Sequence, residues 1–338
     1  ANGAGQIDAN LIKLRDGASP EDLIFDAAPP GIKFALGENV KQANWGDKFV
    51  TRFPQTRMGV RTLIANRFAA ARAYLAKVEE ASRASTLPPR RDLELEALGE
   101  VLQGRRWIYC HAYRQDEILM LIRLMEQFGV KIGSFEHVLE GYKVADEIAR
   151  HGAAASTFAD WWAYKFEVYD AIPYNGSLLH ERGALVSFNS DSSELARRLY
   201  TEAAKAVKYG GTPELEALEF VTLNPARQLR IQHRVGSLEP GKDADIAIWS
   251  RSPLDSRTVC LQTWIEGKKY FDRSLSADRA ASLEAERAAL LAKAKQLAKL
   301  SAGKEDSGGG SGSGGDDSFF RVCLEHEFDG CDRRLEEE

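Results

Sequence analysis

Four short apolar runs in this chain end on side chains that can bind a metal ion or move a proton. Residues 31–39 (GIKFALGEN) close on Glu38 and Asn39, 105–113 (RRWIYCHAY) deliver His111, 131–137 (KIGSFEH) end on His137, and 183–191 (GALVSFNSD) end on Asp191. Imidazoles and carboxylates are donors that a divalent transition metal takes at about 2.0–2.2 Å. Singly, each has an ordinary explanation: a histidine at a strand end is a common structural residue, and Asp191 before Ser192 and Ser193 would serve as a helix N-cap. Four runs delivering them together point to one shared divalent ion, Zn first, with Mn or Fe as alternatives. Neutral imidazoles of His111 and His137 would hold it and Glu38 would complete or bridge the site. Water bound there has its pKa lowered from about 15.7 towards about 7. Asp191 would orient that water, take its proton and return it to the leaving group. The chemistry expected is metal-assisted hydrolysis.

The elements that must position these residues alternate. Apolar residues at helical spacing (Val60, Leu63, Ile64, Phe68, Ala71, Leu75) mark a helix from 58 to about 80, and LPPRRDLELEALGEVLQG gives a break and a second one. The strand with His111 comes next, then a helix stopped by Gly129, the strand ending on His137, a helix stopped by Gly152 and a further strand in AAASTF. After the last strand, SELARRLYTEAAKAVKYGG reads as one helix. Strands alternating with helices imply a parallel sheet with right-handed crossovers, and such folds expose their chemistry at the carboxyl ends of the strands. Two long loops, 40–60 and 159–180, follow strands; Arg57 in the first and Trp161, Trp162, Tyr164 and Tyr174 in the second are candidates for a pocket wall or lid.

The chain then changes character. VGSLEPGKDADIAIWS and TVCLQTWIEGKKYF are short strands with Gly and Pro turns, a small appended β unit, followed by a long Ala, Leu, Glu and Lys helix. The organisation expected is an irregular lead-in over 1–30, an α/β part over 31–230, the β unit over 231–272, the helix over 273–304, and a Gly/Ser linker with an acidic tail over 305–338, expected to be disordered. Length, 338 residues, allows a large core, and a net charge of −5 with interspersed signs argues against a nucleic-acid partner. No run approaches the roughly 18 apolar residues of a membrane span, so the folded part is expected to be soluble. The first residue is not methionine, so a processed or internal product is one expectation, and the compartment stays open between cytoplasm and secretion. Cys110 and Cys260 fall in apolar runs and read as reduced core residues. Cys323, His326 and Cys331 read as an incidental set in the tail.

The order of motifs, GIKFALGEN with TRMGV, HAYRQDEI, FEHVLEGYKVADEI, SFNSDSSE, TLNPARQL and VGSLEPGKDADIAIW, resembles the amidohydrolase superfamily, in particular its imidazolonepropionase-like branch. The resemblance covers roughly 28–272, and VGSLEPGKDADI is its most specific segment. It implies a (β/α)8 TIM-like barrel with a small β-sandwich, a mono- or binuclear metal site at the carboxyl face, and hydrolysis of a C–N bond in an amide or cyclic amide. His111 matches the strand-5 ligand, His137 the strand-6 ligand and Asp191 the strand-8 aspartate, with GIKFALGEN as strand 4. The bridging ligand would be Glu38, or a carboxylated Lys33 or Lys41. The His-x-His pair expected on strand 1 is absent from the sequence and about five strands can be counted. The expected fold is therefore an incomplete barrel, and the partners expected beside a small-molecule substrate are a second copy in a homo-oligomer or a completing N-terminal chain.

Weaker candidates surround these. Tyr113 and Arg114 would contact substrate or merely enter a helix. His180 and Asn189 lie near the last strand and would support the ligands. His151, at a helix end, and His233, in the link to the β unit, read as structural.

Overall fold

In a computed structural model the described residues are 11–41, 46, 53–159, 163 and 165–305, without the side chains of 277 and 299–305. Trp161, Trp162 and Tyr164, residues 42–45 and 47–52 of the first long loop, and the linker with Cys323, His326 and Cys331 lie outside them. In chain order come α1 (Pro20–Leu23), β1 (Gly31–Ala35), α2 (Glu38–Lys41), α3 (Arg57–Ala84), α4 (Leu93–Leu102) and β2 (Trp107–Ala112). Then follow α5 (Gln115–Phe128), β3 (Ile132–His137), α6 (Ala145–His151), β4 (Ala154–Thr157), α7 (Asn175–Glu181) and β5 (Leu185–Phe188). Four short helices close the α/β part: α8 (Ser193–Ala196), α9 (Tyr200–Gly210), α10 (Glu214–Glu219) and α11 (Leu223–Gln228).

Strands β1 to β5 form one parallel sheet in sequence order. Period two explains what each strand does. In β2, Ile108, Cys110 and Ala112 are fully buried in the cluster that also holds Ile118, Leu121, Ile122 and Met125 of α5. Those α5 positions recur at three and four residues, which places them on one face of the helix. Phe135 of β3, Val186 and Phe188 of β5, and Phe68 of α3 join the same core. His111 is out of phase with that apolar set and so points to the other face of the sheet.

Helix ends follow local rules. Thr56 and Asp92 cap α3 and α4 by accepting from the backbone N–H groups of Gly59 and Leu95. Glycine in the left-handed region stops α5 at Gly129 and α6 at Gly152. Two expectations need correcting. The second long loop contains helix α7, because the buried Asn175 amide accepts from the Tyr142 N–H and donates to Val138 O and Thr157 Oγ1, contacts that no local pattern announces. The single helix expected after Asp191 is broken into α8 and α9.

The β unit is an antiparallel sheet of β6 (Ile246–Trp249), β7 (Cys260–Ile265) and β8 (Lys268–Asp272). Its β7–β8 turn uses Glu266 at φ 51° and Gly267 at φ 77°, the left-handed pair that a tight hairpin needs. Residues 11–25 are tied to this unit. The buried Lys13 ammonium lies 2.5 Å from Asp243, 3.1 Å from Asp245 and 3.3 Å from Glu266. The chain divides into two units, 1–273 and 274–338. The described part of the second is chiefly α12 (Ser276–Glu305), with an internal Glu284–Arg287 pair at 3.6 Å. Among the described residues no helix is long and apolar enough to cross a membrane.

Candidate active site

The register of the parallel sheet sets the site. Ala35 of β1 lies level with His111, Ala112 with His137, and His137 with Thr157 of β4, so both histidines arrive at the same carboxyl edge on neighbouring strands. By period two, Ser134 and Glu136 share one face of β3 and His137 belongs to the other. The backbone resolves this by turning left-handed at His137 (φ 73°) and Val138 (φ 35°). With that turn the His111 and His137 ring centroids stand 4.6 Å apart. Tyr113 is buried against both, edge-on to His111 at 4.6 Å and stacked on His137 at 5.5 Å. Phe158 packs on His137 from the end of β4 at 5.4 Å.

Both imidazoles are held neutral. Burial is the main cause for each. His111, pressed also by His137 and by the charges of Lys33 and Lys165, falls to about 2. His137, facing the same two lysines, falls to about 3, with Asn189 pulling weakly the other way. His137 Nε2 lies 3.9 Å from Oδ2 of Asp191, and its Nδ1 is buried without a hydrogen-bond partner. Asp191 itself is half-exposed, in the left-handed region at φ 44°. A cavity of about 400 Å³ opens here, with Lys33, Tyr109, Glu136, His137, Asn189 and Asp191 in its wall.

The other expected residues are placed as follows. Glu38 starts α2, its carboxylate paired with Lys41 and its N–H donating to Glu167 Oε1 at 2.7 Å. Lys33 lies mid-strand on β1, level with Tyr109, and lines the cavity that Glu38 does not. Arg57 is committed to two buried carboxylates, Glu117 at 3.2 Å and Glu167 at 3.1 Å. Arg114 pairs with Asp116 at 3.0 Å and sits over the exposed Phe166 ring. Asn189 donates to Ser156 Oγ at 2.8 Å beside the site. His180 belongs elsewhere: on α7 it pairs with Glu216 at 2.6 Å and packs on Phe220. His151 accepts the Ile132 N–H through Nε2 at 3.1 Å, a structural role as expected.

Sequence reasoning left out Asn39 as a partner, although its amide nitrogen lies 3.4 Å from His111 Nε2. It also left out Lys165, whose ammonium lies 4.2 Å from the Tyr113 ring centre, and Glu136, which faces the cavity. Burial pushes the Glu136 carboxyl up, opposed by Ser134, Lys33 and Ser156. The alternation Ser134, Glu136 was the readable signal for an inward carboxylate.

The donor types suit a divalent cation: two neutral imidazoles in contact, an orphaned buried ring nitrogen and a carboxylate alongside. The donor number is lower than expected. Among the described residues no group of three or more His, Cys, Asp or Glu side chains gathers into a metal site.

Comparison with known proteins bears on the family of the chain. The profile described as Amidohydrolase family matches residues 176–273. Amidohydrolase tasK of Hapsidospora irregularis is 32% identical over 256 residues, which cover 71% of this chain and 26% of that protein. The chain thus spans about a quarter of that relative's length. A crystal structure of an amidohydrolase from Thermotoga maritima superposes with a TM-score of 0.71 at 32% identity, covering 79% of this chain and 68% of that one. Adenine deaminase 2 of a Jannaschia species is 41% identical over 63 residues, 19% of this chain and 10% of that protein. Sharing about a third of its residues and its α/β architecture with the Thermotoga protein across most of both chains, this chain belongs to the amidohydrolase family.

Proposed function

We propose that the chain carries the metal site of a hydrolase that cleaves a C–N bond in an amide or cyclic amide, on part of a TIM-like barrel. The observation that carries this reading is the contact between His111 and His137, both held neutral, beside Asp191 at the mouth of the cavity. His111 and His137 would hold a divalent ion, Zn first and Mn or Fe as alternatives, with Asp191 adjacent. Lys33 or Glu38 would complete the set, and the wall position of Lys33 favours it over Glu38. When bound, such an ion supplies Lewis acidity, polarising a carbonyl and acidifying water. Asp191, half-exposed and within reach of His137, accepts a proton from the attacking water and returns it to the leaving nitrogen. Tyr113 and Phe158 keep the imidazoles fixed and shield them from bulk solvent.

Metal analysis with variants tests it. Purified protein is expected to hold about one equivalent of divalent metal, lost in both His111→Ala and His137→Ala. Asp191→Asn should keep the metal and lose on the order of 10²–10⁴ in hydrolysis of a panel of amides and cyclic ureas. Metal held equally by all three variants would remove the reading.

A second reading has its own observation. Among the described residues β1 and β5 each pair with a strand on one side alone, and no three-ligand group forms. In that reading another polypeptide, a second copy or a separate chain, completes the sheet and the ligands, and this chain alone is silent. Sedimentation of the metal-loaded protein separates the two: activity in a monomer fraction belongs to the first, activity confined to a complex to the second.

A further inference from the structure

The loop that follows β1 is held by charge from three distant parts of the chain. Glu117, in the first turn of α5, accepts the Gly37 N–H at 2.8 Å through Oε1. Glu167, on the segment after β4, accepts the Glu38 N–H at 2.7 Å. Both carboxylates are buried, 3% and 4% exposed, where two like charges repel. Arg57, the first residue of α3, lies between them, its Nε 3.2 Å from Glu117 and its Nη2 3.1 Å from Glu167. Lys165 adds a contact of 3.4 Å to Glu167 while covering the Tyr113 ring. The fit at the loop is close: Gly37 is left-handed at φ 78°, and a Cβ there would collide with the Glu167 carboxylate. Two residues on, Asn39 meets His111. Buried ionic groups carry a desolvation cost, and fixing one geometry is the best-attested use for them.

We propose that Arg57, Glu117 and Glu167 are positioning residues: an ionic clamp that fixes the loop 37–39 and, through Asn39, the orientation of His111. Touching neither the cavity nor its contents, they act on the reaction through the imidazole. Gly37 loses its carboxylate acceptor when Glu117 goes and Glu38 when Glu167 goes, and without Arg57 the two buried carboxylates repel; in each case the loop samples conformations in which Asn39 leaves the ring. The catalytic part of this proposal rests on the hydrolase reading; the loop part does not.

Amide hydrogen exchange on the full chain, followed over 31–41, tests the loop directly. Glu167→Ala and Arg57→Gln should raise exchange at Gly37 and Glu38 by on the order of tenfold, the worth of one charge-assisted hydrogen bond, with β3 and β4 unchanged. Glu167→Gln, which keeps an acceptor, should recover part of the protection. The double variant Arg57→Gln/Glu167→Ala should exceed the worse single variant by less than twofold, because the two act on one interaction. In the metal-loaded protein kcat should fall on the order of tenfold with KM within twofold. Unchanged exchange at 37–39, or a rise spread evenly over the sheet, overturns the clamp. A protein without hydrolytic activity whose loop responds as described would remove the hydrolase reading and leave the clamp standing.

Discussion

The two ends of the parallel strands are built from different backbone. Where helices feed back into strands, the chain turns on glycine: Gly129 before β3, Gly152 before β4 and Gly183 before β5, all left-handed, none with an atom near enough to meet an added Cβ. At the carboxyl ends the same left-handed region is occupied by His137, Val138 and Asp191, residues that pay a steric cost for it. The first set serves chain reversal alone. The second holds side chains where a glycine would have none to offer, and His137 and Asp191 of that set line the cavity of the candidate site.

That contrast can be broken or sharpened by substitution. The largest effect belongs to the core that supports both ends: Leu121→Ala, fully buried on α5, should lose about 2–5 kcal/mol in denaturant unfolding. Asp191→Asn, by comparison, should leave the unfolding midpoint unmoved; a comparable loss would make Asp191 a structural residue. Next is a pH effect from the helix-return end, isolated as the difference between wild type and a His151 variant, since His111 and His137 contribute equally to both. Burial holds His151 below its usual pKa against the pull of Glu126, so the unfolded chain takes its proton first as pH drops below about 6.5. The stability that depends on the neutral ring is complete above that pH and declines below it, by up to about 1.4 kcal/mol per unit. Unfolding curves between about pH 8 and about pH 5 should converge for wild type and His151→Gln as the pH falls; parallel curves would contradict this.

The smaller effects have opposite signs at the two ends. Gly129→Ala should destabilise by about 1 kcal/mol, since alanine resists φ 71°. Asp191→Gly should stabilise by up to about 1 kcal/mol while abolishing hydrolysis, strain released together with function. Thermal melts of the two variants side by side check the pair, and destabilisation by both would mean that the carboxyl end is not strained at Asp191.

What could be read from the sequence follows the same division. The apolar runs that became strands and the glycine stops at Gly129 and Gly152 were legible because each depends on residues within one turn or one strand. His111 was legible too, since its place at a strand end follows from the apolar run before it. The left-handed step at His137–Val138 was not, because valine ordinarily favours extended backbone and nothing local announces the turn. Arg57 illustrates the other limit. Its type suggests an anion partner, but that the anions are Glu117 and Glu167, 60 and 110 positions away, is a property of the folded chain. Glu38 shows a related limit: it stands just past the strand in sequence, while the backbone has already begun α2 and set its carboxylate beside Lys41, a pairing that the apolar run before it does not announce.

Lys13 has a consequence for the whole β unit. A single ammonium is shared by Asp243, Asp245 and Glu266, and its bond to Asp243 spans 230 positions. A chain trimmed just past it by a protease, or acetylated at that amine, would lose the cation common to the three acids, leaving Asp243 to Arg234 and Glu266 to Arg15. Damage to a few leading residues would then surface as fraying in a sheet encoded near the far end of the fold.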